Sequence, residues 1–239
     1  MLEEAIESFL KQDYPQDRCE LIVVNDFPLQ TLKLTQDIPN IHIYNLDITF
    51  STIGEKENYA IERCKGELIA VWDDDDIAMP NHLSTINEYF TEDKDLLHWE
   101  RGVFYNYPNI TNIEFIGNSG IVYRKDAWEK IGKSPLENAG GDMTLVNKLT
   151  SLKDNNIIFA SPEIPTWFYR WHLPSIYGDC YHQSGLGTDN EERMNVVQRN
   201  AIHIYKLAKQ NIIPTGEIIL KPNWNTDFKI LLDKYIEKN

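Results

Sequence analysis

Apolar residues recur at helical spacing from the first positions of the chain: Leu2, Ala5, Ile6, Phe9 and Leu10 share one face, and Tyr14-Pro15 closes the run, which predicts a helix. The β-branched stretch "ELIVVND" reads as a strand buried on both faces that stops at Asn25 and Asp26. "NIHIYNL" predicts a second, weaker strand. From Gly54, "GEKENYAIERCKG" predicts a helix closed by Gly66, with Tyr59, Ala60 and Cys64 as packing positions. "ELIAVW" predicts a third strand, which runs straight into Asp73, Asp74, Asp75 and Asp76. Pro80 suits the first turn of a further helix, "PNHLSTINEYF", with Leu83, Ile86, Asn87 and Phe90 along one side. Strands alternating with amphipathic helices over residues 1–90 predict a largely parallel sheet covered on both faces. Ligands of such sheets bind at the carboxyl ends of the strands.

The later pattern is less regular. "NSGIVYRKDAW" reads as a strand and the start of a helix. "ENAGGDMTLVNKL" reads as a helix with Met143, Leu145, Val146 and Leu149 apolar, entered by Asp142 after two glycines. In that position Asp142 is by default a helix cap worth about 1 kcal/mol. "TWFYRWHLPSIYGDCYHQSG" is rich in aromatics and, if extended, sets Arg170 and His172 on one side. Ser175 to Asn190 reads as a polar loop able to close over a ligand. "ERMNVVQRNAIHIYKLAKQ" predicts an amphipathic helix through Met194, Val197, Ala201, Ile204 and Ala208, and "DFKILLDKYIEK" a short final one. No internal repeat interrupts this order, so a single domain over 1–239 is expected.

Composition narrows the function classes. The 239 residues carry 23 basic and 37 acidic side chains, a net charge of −14, which disfavours nucleic acid and anionic lipid as partners. An anionic ligand therefore needs a local cation. Cys19, Cys64 and Cys180 are widely spaced without a Cys-x-x-Cys pair, which argues against a disulfide framework or structural zinc and suits a reducing, cytoplasmic setting. The start "MLEEAIESFL" is acidic where a signal peptide is basic, and no apolar run reaches the ~20 residues of a transmembrane segment.

The aspartates are the most informative feature. In extended backbone Asp73 and Asp75 would point one way and Asp74 and Asp76 the other, so that each pair could share a hard cation. Carboxylates so close raise one another's pKa unless a positive charge intervenes, and a magnesium or manganese ion completed by phosphate oxygens would supply it. A solvated acidic turn is the other reading. Asp26, ending a neighbouring strand, is open to the same two readings, turn cap or ligand contact.

The succession "SFLKQDYP", "LIVVND", "GEKENYAIERCKGELIAVWDDDDIAMPNHL", "GNSGIVYRKDAWEKIG" and "GGDMTL" resembles the family 2 glycosyltransferases over roughly residues 2–172. The resemblance implies the GT-A fold, α/β with a mostly parallel mixed sheet flanked by helices. It divides the chain into a nucleotide-sugar half (1–100), an acceptor half (101–175), and a loop with C-terminal helices (176–239). It implies that Asp26 contacts the uracil or ribose of a UDP-sugar, that Asp73 approaches the ribose, and that Asp75 holds manganese or magnesium on the diphosphate. Lys56 and Asn58 match the polar helix start near the nucleotide, with an exposed lysine and a helix-surface asparagine as the alternative. Gly120 is similar to the small residue beside the sugar, Arg170 and His172 to groups near the diphosphate or metal, and Asp142 to the general base that takes the proton of the acceptor hydroxyl.

The implied activity is metal-dependent, inverting transfer from a nucleotide sugar to a saccharide or lipid-linked acceptor, the latter compatible with attachment at a membrane surface; an oligomer stays open. A non-catalytic nucleotide-binding relative and a magnesium phosphohydrolase are the alternatives. Family members normally begin with a hydrophobic strand and a Pro-Thr-x-Asn-like turn at the base, whereas this sequence opens on the following helix. Either the true start lies upstream, or another segment fills that place, or the nucleotide is bound differently.

Overall fold

The computed structural model describes residues 1–106, 109–113, 120–137, 140–171 and 201–224. The first apolar stripe forms α1 (Leu2–Leu10), which buries Ala5, Ile6 and Phe9 and ends at Lys11, ahead of the Tyr14-Pro15 stop. The "LIVVN" run forms β1 (Leu21–Asn25), paired in parallel with β3 (Ile41–Asn45). Between them lies β2 (Gln30–Leu34), which pairs in parallel with the late strand β12 (Gly216–Leu220). The Asn45 side-chain amide mimics a peptide toward β2, donating to the Leu32 carbonyl at 3.0 Å and accepting from the Leu32 N–H at 2.7 Å.

Helix α2 (Ile53–Ile61) opens on a complete capping box: Thr52 Oγ1 accepts from Glu55 N–H, and the Glu55 carboxylate accepts from Thr52 N–H. It ends at Ile61, one turn short of Gly66. Strand β4 (Leu68–Ala70) joins β6 (Leu96–Trp99), β9 (Val122–Arg124) and β10 (Ile157–Ala160) in a sheet of order β10-β6-β9-β4. A second sheet has the order β5-β11-β7-β8, from β5 (Ile77–Ala78), β7 (Gly102–Asn106), β8 (Asn109–Ile113) and β11 (Trp167–Trp171). Helices α3 (His82–Tyr89), α4 (Lys125–Lys130) and α5 (Gly141–Thr150) complete the set, with residues 201–209 also helical. The architecture is the expected α/β one. The ladders are evenly mixed, however: β4–β9, β6–β9, β5–β11 and β7–β8 are antiparallel. The second half of the chain turns the largely parallel arrangement expected from residues 1–90 into a mixed one, because β9 inserts between β4 and β6.

Among the described residues β1 and β4 each have one ladder partner. Side chains link α1 to the segment after β4 instead. Trp72 donates its indole N–H to the Ala5 carbonyl at 3.1 Å and meets Phe9 edge-on at 6.1 Å. Gln12 donates to the Met79 carbonyl at 2.7 Å and accepts from Leu83 N–H at 2.9 Å. Three apolar clusters stand behind this seam, one around Ile6, Phe9, Leu21 and Ile41, a second around Leu97, Trp99 and Trp167, and a third around Leu96, Tyr123, Trp128 and Leu149. Each such fully buried side chain is worth about 1.5–3 kcal/mol. Among the described residues no helix is long and apolar enough to cross a membrane. The expected final helix and the loop from Ser175 to Asn190 lie outside the described residues.

Candidate functional site

The strand that carries the aspartates stops at Ala70, and residues 73–76 form a turn in which Asp76 N–H faces the Asp73 carbonyl at 3.4 Å. Extended alternation is therefore not how the four carboxylates separate. The turn buries Asp76 and leaves Asp74 exposed, with Asp73 and Asp75 half-buried. Asp76 is fastened: its carboxylate accepts from Arg170 N–H at 2.8 Å and from Trp167 Nε1–H at 2.9 Å. Burial, then the Asp73 and Asp75 charges, nevertheless hold its pKa well above the carboxylate range.

Asp73 shows what surrounds the turn. Its pKa is pushed up to about 8, first by burial and then by the charges of Asp75, Asp74, Glu57 and Asp142. Carboxylates from α2, the turn and α5 thus lie within electrostatic reach of one another. Glu57 reaches solvent, yet protein packed around its carboxyl raises its pKa, with Asp142 adding to the rise and a hydrogen bond from Ser134 opposing it. Ser134 is itself buried and accepts from Trp128 Nε1–H at 3.1 Å, so Glu57 stands on a fixed support. Sequence reasoning passed over Glu57 although it lies between Lys56 and Asn58; its neighbours at 73, 134 and 142 are distant in the chain.

Helix α2 is clasped to the segment at 134–137. Asn58 donates to the Ser134 carbonyl at 3.0 Å and accepts from Ser134 N–H at 2.8 Å. Gly54 lies so close to the 134–137 segment that a Cβ would stand 1.8 Å from the Pro135 carbonyl oxygen. That segment leads through Gly140, a helix N-cap at φ +72°, into α5. Asp142 stands exposed in the first turn and accepts from Met143 N–H at 2.8 Å, so the cap position belongs to Gly140.

Asp26 follows β1 directly. Its carboxylate pairs with Lys56 Nζ at 2.6 Å and accepts from Phe50 N–H at 3.2 Å. Helix α2 thereby directs Lys56 toward Asp26 and Glu57 toward Asp73. The Asp26 carbonyl accepts from Thr49 Oγ1 at 2.9 Å, and that hydroxyl meets the Tyr205 hydroxyl at 2.8 Å, which fixes residues 201–209 beside the end of β1. Gly120, at φ +67°, is buried under Trp167, whose ring would lie 2.9 Å from a Cβ there. Arg170 is buried beside the turn. Its Nη1 pairs with Glu4 Oε2 at 2.8 Å, its Nε donates to the Asp75 carbonyl, and its buried Nη2 has no hydrogen-bond partner among the described residues. His172 lies outside the described residues.

No three His, Cys, Asp or Glu side chains come together as ligands of one ion among the described residues. The donor chemistry still fits a hard divalent cation: crowded carboxylate oxygens whose protonation is favoured without a cation, and too few of them to close a coordination shell without ligand oxygens.

The profile of glycosyl transferase family 2 matches residues 1–132. No curated protein matches the chain. Among solved structures, residues 1–349 of S. aureus TarS superpose with a TM-score of 0.54 at 17% identity, over 85% of this chain and 61% of that one. The same region of TarS in complex with UDP-GlcNAc gives a TM-score of 0.57 at 18% identity, over 83% and 61%. Its complex with UDP gives 0.55 at 17%, over 85% and 61%. The likeness is one of fold, and the chain spans about three fifths of the TarS region it matches.

Proposed function

The chain belongs to glycosyl transferase family 2, and on that premise we propose that it moves a sugar from a nucleotide-sugar donor, with UDP as the nucleotide, to an acceptor hydroxyl. The electrostatic proximity of Glu57 and Asp142 to Asp73 carries this reading, because it sets a candidate base near the aspartate turn. The binding of UDP and UDP-GlcNAc by TarS, a protein of the same fold, supports the choice of nucleotide.

In this reading Asp26 and Lys56 hold the nucleotide's base and ribose, Asp73 approaches the ribose, and Gly120 lets Trp167 pack closely beneath the place of the sugar. Asn58 keeps α2 in place beneath them. Asp75, and His172 in the following segment, would hold a manganese or magnesium ion, which supplies Lewis-acid neutralisation of the departing diphosphate. Arg170 would stand beside the same diphosphate, behind the Asp75 carbonyl and the Asp76 carboxylate. The acceptor oxygen attacks the anomeric carbon as the bond from that carbon to the diphosphate oxygen breaks. The hydroxyl proton passes to the Asp142 carboxylate. A single displacement of this kind inverts the anomeric centre. The acceptor is a saccharide, free or lipid-linked.

The test is release of nucleoside diphosphate from a panel of UDP-, GDP- and CDP-sugars, each with a panel of saccharide acceptors and manganese. UDP release that depends on acceptor and falls about 10²–10⁴-fold in Asp142→Asn supports the reading. Protein that binds UDP yet turns over no donor would assign it to the non-catalytic relatives.

A further inference from the structure

We propose that Glu4 is a positioning residue for the aspartate turn: acting through Arg170, helix α1 holds the backbone of Asp75 and thereby sets how tightly the turn takes a divalent cation. The proposal rests on the reading of that turn as a cation and diphosphate site.

The contact is a buried one. The Glu4 and Arg170 side chains are 7% and 9% exposed, and their 2.8 Å pair joins the first helix to β11. Arg170 then reaches the turn twice, with its Nε on the Asp75 carbonyl and its backbone N–H on the Asp76 carboxylate. The Glu4 backbone carbonyl accepts from Ser8 Oγ at 2.9 Å and from Trp224 Nε1–H at 3.2 Å, contacts that secure α1 and leave the grip on Arg170 to the carboxylate alone.

A guanidinium this deep needs a counter-charge, and the fork that Glu4 engages leaves the Nε edge aimed at Asp75. The turn crowds Asp73, Asp75 and Asp76 together, and the Asp75 carboxylate extends from a backbone that could otherwise shift. A donor clamped on the Asp75 carbonyl opposes that movement. A ligand held before binding loses less freedom on binding, so the strut raises cation affinity without touching the cation. Glu4 also leaves the local charge of the Glu4–Arg170 pair at zero. Without its carboxylate, Arg170 would present an uncompensated positive charge to an incoming cation.

The experiment compares wild type, Glu4→Gln and Ser8→Ala. Glutamine keeps the size of the side chain and loses its charge; Ser8→Ala loosens α1 at the neighbouring position with Arg170 untouched. Two quantities are read: hydrogen exchange at Arg170 Nε–H by NMR in metal-free protein, and manganese affinity at saturating UDP by water-proton relaxation. Glu4→Gln is expected to speed exchange at least about tenfold and to weaken manganese binding about 10- to 100-fold. Ser8→Ala is expected to lower the melting temperature and leave manganese affinity at the wild-type value. Wild-type exchange or wild-type affinity in Glu4→Gln would overturn the proposal, as would equal loss of affinity in both variants. Wild type that takes up no manganese with UDP would refute the reading of the site, and the Nε exchange rate would still decide whether Glu4 locks Arg170.

Discussion

Replacing Asp73 by asparagine is expected to make the metal-free protein more stable, and increasingly so as pH rises. The Asp73 carboxyl has a pKa of about 8 in the folded chain, raised chiefly by burial and by Asp75, against about 3.9 when unfolded. Between those values the folded state binds more protons than the unfolded one, so stability falls as pH rises through this window and levels off above the folded pKa. At about 1.4 kcal/mol per unit, the full effect at pH 7 is about 4 kcal/mol. Water reaches part of this side chain, so about half of that, roughly 2 kcal/mol, is expected. For a chain of this size it corresponds to a melting-temperature gain of about 4–8 °C for Asp73→Asn at pH 7–8, shrinking toward pH 5. Calorimetry of both proteins from pH 5 to 8.5 without metal measures it. Parallel pH profiles, or a variant less stable than wild type at pH 8, would refute the electrostatic account of the turn. The same account expects manganese with UDP to stabilise wild type and to stabilise the variant less.

Three further outcomes are expected. Gly54→Ala gains about 1 kcal/mol of helix propensity but must displace the Pro135 backbone; a net loss of about 1–3 kcal/mol by urea denaturation is expected, with Gly141→Ala, whose Cβ meets ordinary contacts, near neutral. His82 is wholly buried between Trp72, Trp99 and Trp167, and burial pushes its pKa down to about 3. It therefore contributes stability that is present above about pH 6.5 and lost as pH falls toward 3; His82→Phe should flatten the acid limb of the stability profile, and an unchanged limb would place the loss elsewhere. Asn58→Leu leaves both Ser134 backbone groups without their amide partner, and a loss of about 1–3 kcal/mol is expected by thermal unfolding.

Long apolar runs made the first third of the chain legible in the sequence. "LIVVN" and the stripe through Phe9 each satisfy one period strongly, and both elements formed. Strand β2 was not legible, because "QTLKL" alternates with charged and polar residues and owes its pairing to Gly216–Leu220, far along the chain. Strands β6, β10 and β12 are likewise made by partners distant in sequence. The four aspartates announced a site, yet their separation came from a turn and from Trp167 and Arg170, which sequence spacing could not reveal. Glu57 and Glu4 were illegible for the same reason: a glutamate on a helix acquires a role only from what the other elements place against it.

The central claim is that the aspartate turn receives a nucleotide diphosphate together with a divalent cation. Thermal unfolding with UDP, with and without manganese, on wild type and Asp75→Ala tests it most directly. At about 100 times its dissociation constant, UDP with manganese should stabilise wild type by about 2.7 kcal/mol, several degrees in melting temperature, and should lose that effect in Asp75→Ala. Equal shifts in the two proteins, or no response of folded wild type to UDP with manganese, would contradict it.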